Sequence, residues 1–426
     1  MSTLSFIITA HAPLAVNERK PGGSQVQEGL DYIPGRVLRG ALADLLLRTC
    51  TDPLGQQAHA NCPHPVLCRA LFDGELLFRD ARPVGYMAPV AHLLPMTAFS
   101  CKDDGGFQTT ATNPGHGVFD TLIDRACWEA QASPAFQYQP RCPICGDRTR
   151  VFMGAYTLYN IDQQITFYAS PKVTKELLTR VAINRRRGVA EDQLLYAVSA
   201  LSQHTRVGDD YVATRYAGSI WLPESLAADS SLVDALKKHL SQLRHLGSGR
   251  SRGLGRVEIE NVAASPALTV QQRLQDFNQT FAERWRLVAA SSNQQTPPAH
   301  HFSVTLQSDG ILPAEDGWSP ASVLTPAALW ATCGMAGTPP STLTLVRSYA
   351  TNTTRGGWNA LWGLRKETEQ VVQAGAVYLF QVDNFTNWAA PLEYLENHGI
   401  GVRRAEGFGQ VRVCAEFHNI TGGKAV

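Results

Sequence analysis

Leu4, Phe6 and Ile8 alternate with Ser5, Ile7 and Thr9. A period of two is that of a strand whose two faces meet different neighbours. After a polar, glycine-bearing stretch, Val37, Leu38, Ala41, Leu42, Leu45 and Leu46 recur at helical spacing behind Pro34, a residue suited to a first helical turn. Leu232, Leu236, Leu240 and Leu243 mark one face of another helix, with Lys237, Lys238 and Arg244 around it. A glycine loop follows, and then Val257 and Ile259 alternate with Glu258 and Glu260 as a half-buried strand. The next helix is built around Leu274, Phe277, Phe281, Trp285 and Val288 and runs into a polar tail ending at Pro297 and Pro298. Then the pattern restarts. Phe302, Val304 and Leu306 form a strand like the first, residues 375–382 read as a core strand, and Pro391 to His398 precede a second glycine loop. The fold class expected is α+β, with one unit over residues 1–264, a helix and linker over 265–299, and a second unit over 300–426. Residues 50–150 interrupt the first unit as an irregular insertion.

The two glycine loops carry the repeat. Residues 247–257 read Gly-Ser-Gly-Arg-Ser-Arg-Gly-Leu-Gly-Arg-Val, with Gly247, Gly249, Gly253 and Gly255 interleaved with Arg250, Arg252 and Arg256. Residues 399–413 repeat its core: Arg403 and Arg404, a short spacer, Gly407-Phe-Gly409, a polar residue, then Val-Arg-Val. An internal repeat of loop plus flanking elements indicates two related units. Glycine lets backbone amides approach a ligand closely, and arginine grips phosphate with a planar, permanently charged fork. A dinucleotide loop would follow a strand and open a helix, the reverse of this order, and a P-loop needs a Gly-Lys-Ser/Thr sequence that these loops lack. A solvated turn is the ordinary use of such a loop. Three arginines in one loop and a second copy favour a polyanion contact.

Composition narrows the rest. The 426 residues are 44% hydrophobic and 18% charged, as in a folded, soluble chain of two or three domains. A formal net charge of +1 confines any nucleic-acid site to a local patch. Arginine is indeed clustered, at Arg185-Arg186-Arg187 and in both loops. No secretory signal or bilayer-spanning apolar run is apparent. The odd count of nine cysteines points to a reducing, cytoplasmic setting.

Seven of those cysteines lie between Cys50 and Cys145. Cys142-Pro-Ile-Cys145 is a knuckle whose two-residue spacer lets both thiolates face one ion. Cys62 and Cys68 are the second pair expected, with Cys50, His59 and His64 as competitors. Four thiolates would form a closed structural zinc site pinning a loop-rich module. His116 and Asp120 form a pair open to acid–base chemistry, although Asp120 more simply caps the following helix. The arginine triplet after Asn184 ends at Gly188, as at an exposed hairpin tip, either solvated or part of a nucleic-acid groove. Arg36 and Arg39 share one side of a helix near its N-terminus, where the macrodipole favours anions. Trp358 and Trp362 are available for base stacking or for packing.

Tyr32-Ile-Pro-Gly-Arg-Val-Leu-Arg-Gly, Ala182-Ile-Asn-Arg-Arg-Arg-Gly-Val-Ala, the Gly247–Gly255 loop and Gly401 to Val413 together resemble the RAMP superfamily of CRISPR-associated proteins. With Cys68-Arg-Ala-Leu-Phe-Asp-Gly, the Cys142/Cys145 knuckle and His116-Gly-Val-Phe-Asp, the chain is most similar to the two-domain Csx-type subunit of type III-D complexes. The resemblance implies tandem ferredoxin-like (RRM-like) domains, with a cysteine-rich zinc-binding insertion in the first. It implies a non-catalytic subunit of an RNA-guided antiviral complex, holding the 5′ handle of the guide RNA (crRNA), touching other type III subunits directly and target RNA indirectly. Guide contacts then fall on Arg36, Arg39, Asn184, Arg185, Arg186, Arg187 and the first glycine loop, with Arg403, Arg404, Gly407 and Gly409 in the second. Backbone subunits of such complexes cut target RNA with an acid ahead of the Pro-Gly motif. The alternative is therefore an endoribonuclease using Asp31 or Glu28 (Glu18 lies in the same loop), or His116 on precursor guide RNA.

Overall fold

The computed structural model describes residues 3–17, 26–27, 29–50, 61–84, 90–108, 115–131, 137–160, 165–171, 173–184, 186–207, 209–263, 268–288, 296–359, 363–384 and 387–426. Its frame is two antiparallel sheets with the same strand order. The first consists of β1 (Thr3–Ala10), β2 (Leu77–Phe78), β3 (Arg215–Trp221) and β4 (Val257–Val262), arranged β4-β1-β3-β2. Arg82–Val84 extends β2 along β3. The second consists of β5 (His300–Leu306), β6 (Thr344–Tyr349), β7 (Val377–Val382) and β8 (Val411–Val413), arranged β8-β5-β7-β6. In each unit the strand nearest its N-terminus sits between the last and the third, a placement that requires helical connections.

Those connections are the helices expected from the apolar spacing. In the first unit α1 (Gly35–Leu47) buries Leu38, Leu42 and Leu46, and α2 (Ser230–Gln242) buries Leu232, Leu236 and Leu240. Asp229 caps α2 by accepting the amide N–H groups of Ser231 and Leu232. Both helices pack with Phe6, Ile8, Tyr216, Ile220 and Ile259 of the sheet in one core. β2 lies within residues 50–150, so that span contributes a strand to the first sheet as well as an insertion.

The second core takes in more of the chain. Alongside Phe302, Val304, Phe380 and Val382, and the helices α4 (Pro326–Thr332) and α5 (Ala389–His398), it contains the apolar face of α3 (Val270–Val288): Leu274, Phe277, Phe281 and Trp285. The helix Leu122–Gln131 of the insertion joins that core through Leu122, Ile123, Ala126 and Cys127 and forms an ion pair between Asp124 and Arg284. The insertion thus connects both units, and Val118 exchanges backbone hydrogen bonds with Val426 at 2.8 and 3.0 Å.

A buried ionic lattice fastens the second core. Arg273, 2% exposed, donates to both oxygens of Glu396 at 2.9 Å and to the carbonyl of Val413 at 2.6 Å. Arg412 reaches Glu396 at 2.9 Å and also pairs with Glu416. Burial pushes the Glu396 and Glu416 carboxyls up, but the facing arginines outweigh it and hold both below the carboxylate range, Glu416 at about 2. Removing one partner leaves a buried charge uncompensated, so Glu396→Gln should lower unfolding stability by about 3–5 kcal/mol in denaturant titration. Because these folded-state pKa values are depressed, the stability they contribute is present above the ordinary carboxyl pKa of about 4.3 and is lost as pH falls toward 2. Acid unfolding followed by circular dichroism should show that loss in the native chain and a smaller one in Glu396→Gln.

Candidate nucleic-acid interface and metal clusters

The first glycine loop joins α2 to β4 through four glycines at positive φ, between 79° and 84°. Between Gly249 and Gly253, Arg250–Arg252 form a single 3₁₀ turn. The loop is pinned at its base: Leu246 donates to the carbonyl of Gly255 at 2.8 Å, Gly255 to Pro13 at 2.9 Å and Ser248 to Ala15 at 3.0 Å. A Cβ on Gly255 would lie 2.3 Å from the Leu246 carbonyl, so only glycine fits. Arg250, Arg252 and Arg256 are exposed. Burial, then Arg250 and Arg256, depress the pKa of His245 beside them, a sign of a locally positive field.

Arg252 Nη1 donates to the Tyr196 hydroxyl at 2.6 Å. Tyr196 belongs to a long hairpin, Lys175–Asn184 paired with Val189–Leu201, which packs through Leu178, Tyr196 and Val198 on Ala15 and Leu254 at the base of the loop. At the hairpin tip Asn184 Oδ1 accepts the amide N–H groups of Arg186 and Arg187 at 3.0 and 3.1 Å, leaving both guanidinium groups exposed. Loop and hairpin therefore form one continuous surface edged with arginine. Arg185 lies outside the described residues.

The other expected contacts go elsewhere. Arg36 and Arg39 are half-buried. Arg36 stands over the Phe408 ring at 5.8 Å, and Arg39 donates to the Leu71 carbonyl at 2.9 Å, its pKa lowered by burial. The second glycine loop has the backbone of the first: Arg403, Gly407 and Gly409 are left-handed around a 3₁₀ turn at Arg404–Glu406, and Ile400 donates to the Gly409 carbonyl at 2.8 Å. Its exposure is the opposite of the first loop's. Gly407 and Gly409 are buried, and a Cβ on Gly407 would lie 3.1 Å from the Cα of Gly35 and 2.9 Å from the carbonyl of Phe78 in the first unit. Arg403 is neutralised by Glu406 at 2.7 Å and Glu369 at 3.5 Å, leaving Arg404 as the exposed arginine of this bend. The second loop is a joint between the units.

Asp31 is exposed and pairs with Lys175 at the base of the hairpin at 2.7 Å. Glu18 and Glu28 fall outside the described residues. Trp358 is 46% exposed on the hairpin Asn352–Asn359/Leu364–Val372, and Trp362 is not among the described residues. Between the two sheets lies a cavity of about 520 Å³, bordered by Arg79, Arg82, His92, Glu396 and Arg412, that sequence patterns did not reveal.

The cysteines meet in two clusters rather than one, which corrects the expected set of Cys62, Cys68, Cys142 and Cys145. The knuckle pair joins Cys101 and His116, with all four donor atoms within 4.8 Å of one another. Cys101 Sγ is 3.7 Å from Cys145 Sγ, and Cys142 Sγ is 3.5 Å from His116 Nδ1. The knuckle closes as a tight turn, Gly146 donating to the Cys142 carbonyl at 2.9 Å. Burial pushes the Cys142 thiol up, but the amide N–H groups of Cys145 and Ile144 aimed at its sulfur prevail and hold it below the ordinary thiol value. On the far side of the imidazole, Asp104 lies 3.7 Å from Nε2, on the side from which a carboxylate can orient a ligating histidine. Three sulfurs and one imidazole nitrogen fit a metal ion of borderline softness. Cys62 and Cys68 instead meet Cys50. His64 and the other described histidines stay out of that trio, and His59 lies outside the described residues. Asp120 does not partner His116; it accepts the amide of Leu122 at 2.7 Å and so caps the helix Leu122–Gln131.

The RAMP superfamily family model matches residues 21–258. No curated protein matches the chain. Among solved structures, it is similar to a chain of the Type III-B Cmr-beta complex bound to cognate target RNA and AMPPnP, at 11% identity, with 88% of this chain and 86% of that chain covered and a TM-score of 0.40. A second Type III-B Cmr-beta structure, bound to cognate target RNA, matches at 11% identity over 92% of this chain and 94% of that one, with a TM-score of 0.39. Among the described residues no helix is long and apolar enough to cross a membrane.

The loop geometry makes a direct prediction. Gly255→Val places a branched side chain at φ 84° against the Leu246 carbonyl. It should cost about 1–3 kcal/mol, read as a lowered thermal midpoint of the full chain.

Proposed function

We propose, from the premise that the chain belongs to the RAMP superfamily, that it is a guide-RNA-binding, non-catalytic subunit of a type III CRISPR effector complex, holding the 5′ handle of the guide in antiviral defence. On this reading residues 1–264 and 300–426 are two ferredoxin-like (RRM-like) units, with 265–299 as the helix and linker between them. The β-α-β-β-α-β order of elements and the strand order in both sheets support that description. The protein works in the cytoplasm, where its thiols stay reduced.

One observation carries the functional reading. The first glycine loop presents Arg250, Arg252 and Arg256 to solvent, and the Arg252–Tyr196 hydrogen bond joins it to the hairpin bearing Arg186 and Arg187. Cations spread along a loop and an extended arm offer several separate contacts to the phosphates of one strand. Such contacts position RNA without reading its sequence. The glycines let the strand approach the turn closely, and the tyrosine is at hand for a splayed base. The Cys101, His116, Cys142 and Cys145 cluster holds a structural zinc ion, which when bound fixes the knuckle to the strand Ala98–Cys101. The joint between the units keeps loop and hairpin in a constant position relative to the second unit, whose outer surfaces are left for neighbouring subunits.

Replacing Arg250 and Arg252 together by alanine removes two phosphate contacts. The guide-binding affinity of the double variant should fall, and the slope of log affinity against log salt should become shallower by about 1.4. Unchanged affinity and slope, measured with labelled crRNA, would reject the loop as an RNA contact. Asp31→Asn should leave target and precursor RNA intact or cut as in the native complex. Loss of cutting would make Asp31 catalytic and the chain an endoribonuclease.

A further inference from the structure

The second thiol cluster has no part in the reading above. Cys50 follows α1, its amide still donating to the Leu46 carbonyl at 3.0 Å. Cys62 stands just ahead of the helix Pro65–Phe72, and Cys68 lies within that helix. The three Sγ atoms are all within 4.8 Å of one another, and Cys62 and Cys68 approach to 3.2 Å. None of the three is in a disulfide. Sulfurs bound at about 2.3 Å around a tetrahedral ion stand about 3.8 Å apart, so this trio spans the dimensions of one coordination sphere.

We propose that Cys50, Cys62 and Cys68 hold a second thiophilic metal ion, zinc by preference, independent of the Cys101, His116, Cys142 and Cys145 centre. Two features of the surroundings support it. First, three thiols converge where the neighbouring side chains are apolar: Cys62 and Cys68 are 8% and 0% exposed in a core with Leu46, Leu67 and Leu71. A disulfide would use two of them and strand the third, whereas one ion takes all three. Second, the trio sits where a crosslink has mechanical value. It ties the end of α1 to the helix Pro65–Phe72, whose Leu71 carbonyl receives Arg39 and whose N-cap residue His64 meets the ring of His239 on α2 at 4.5 Å. An ion there closes the chain between residues 50 and 62 and fixes three helices of the first unit to one another. Three soft thiolate donors favour zinc over magnesium or calcium.

The test is metal stoichiometry on the full chain, purified under reducing conditions with zinc supplied. It uses native mass spectrometry and elemental analysis together. The wild type should carry two zinc ions, Cys68→Ser one, Cys142→Ser one, and the double variant none. Native spectra of the unmutated chain do not depend on whether a variant folds. A single ion that disappears in Cys142→Ser would overturn the second centre and leave the first standing. A single ion retained in Cys142→Ser but lost in Cys68→Ser would support the second centre and overturn the first. An intact mass showing a Cys62–Cys68 disulfide in the freshly isolated chain would also overturn the proposal.

Discussion

Where each unit's second helix returns to its edge strand, two backbone segments run so close that no side chain fits between them. A Cβ on Gly255 would meet the Leu246 carbonyl at 2.3 Å, and one on Gly409 would meet the Ile400 carbonyl at 1.8 Å. In both places an amide N–H to carbonyl bond of 2.8 Å bridges the two arms of the bend. The constraint forces a left-handed glycine at the exit and a one-turn 3₁₀ helix at the tip, and so it dictates the whole conformation of the loop. What the tip then does depends on the three residues carried by that turn.

In the first unit the turn is Arg-Ser-Arg and faces solvent; in the second it is Arg-Ala-Glu and faces the first unit. Arg252 in one copy corresponds to Glu406 in the other. That exchange converts an open cationic bend into a closed one, because Glu406 gathers Arg403 and Lys366 at 2.7 Å each and leaves the turn near neutral. The neutral tip can then be buried. Gly407 comes up against Gly35 and Phe78, and Phe408 receives the guanidinium groups of Arg36 and Arg403 at 5.8 and 5.2 Å. Two copies of one bend thus differ in use, and the acid at Glu406 is what lets the second be buried as a protein joint.

The parts legible in the sequence are those fixed by neighbours along the chain. The strand at Leu4–Ile8, the leucine helix, the knuckle turn at Cys142–Cys145 and the hairpin tip at Asn184–Gly188 all follow from local spacing and turn chemistry. The parts that escaped depend on residues far apart in sequence. Nothing local to Arg36 indicates that Phe408 lies beneath it, and nothing local to the knuckle indicates that Cys101 and His116 complete its donor set. Local spacing does not say which cysteine joins the knuckle, and strand pairing decides it: Cys101 ends a strand that pairs with Thr149–Val151, just beyond the knuckle. The helix Leu122–Gln131 shows the same limit, since its apolar face gives no hint that it docks on the second core.

Long-range pairing also explains how a chain of net charge +1 can present a cationic surface. Several of its arginines are turned inward. Arg82 is held by Asp80 at 3.1 Å and reaches the Gln307 carbonyl at 2.7 Å, Arg273 and Arg412 share Glu396, and Arg355 meets Asp309 at 2.5 Å. Each of these guanidinium groups is matched by a carboxylate in a buried or half-buried place, so its field is cancelled at short range. Arg250, Arg252 and Arg256 of the first loop and Arg186 and Arg187 of the hairpin tip are instead exposed, where water and salt reach them. By pairing Arg82, Arg273, Arg355 and Arg412 with acids, the interior cancels their fields at short range, so the cationic character of the chain is expressed at exposed bends such as Arg250–Arg252.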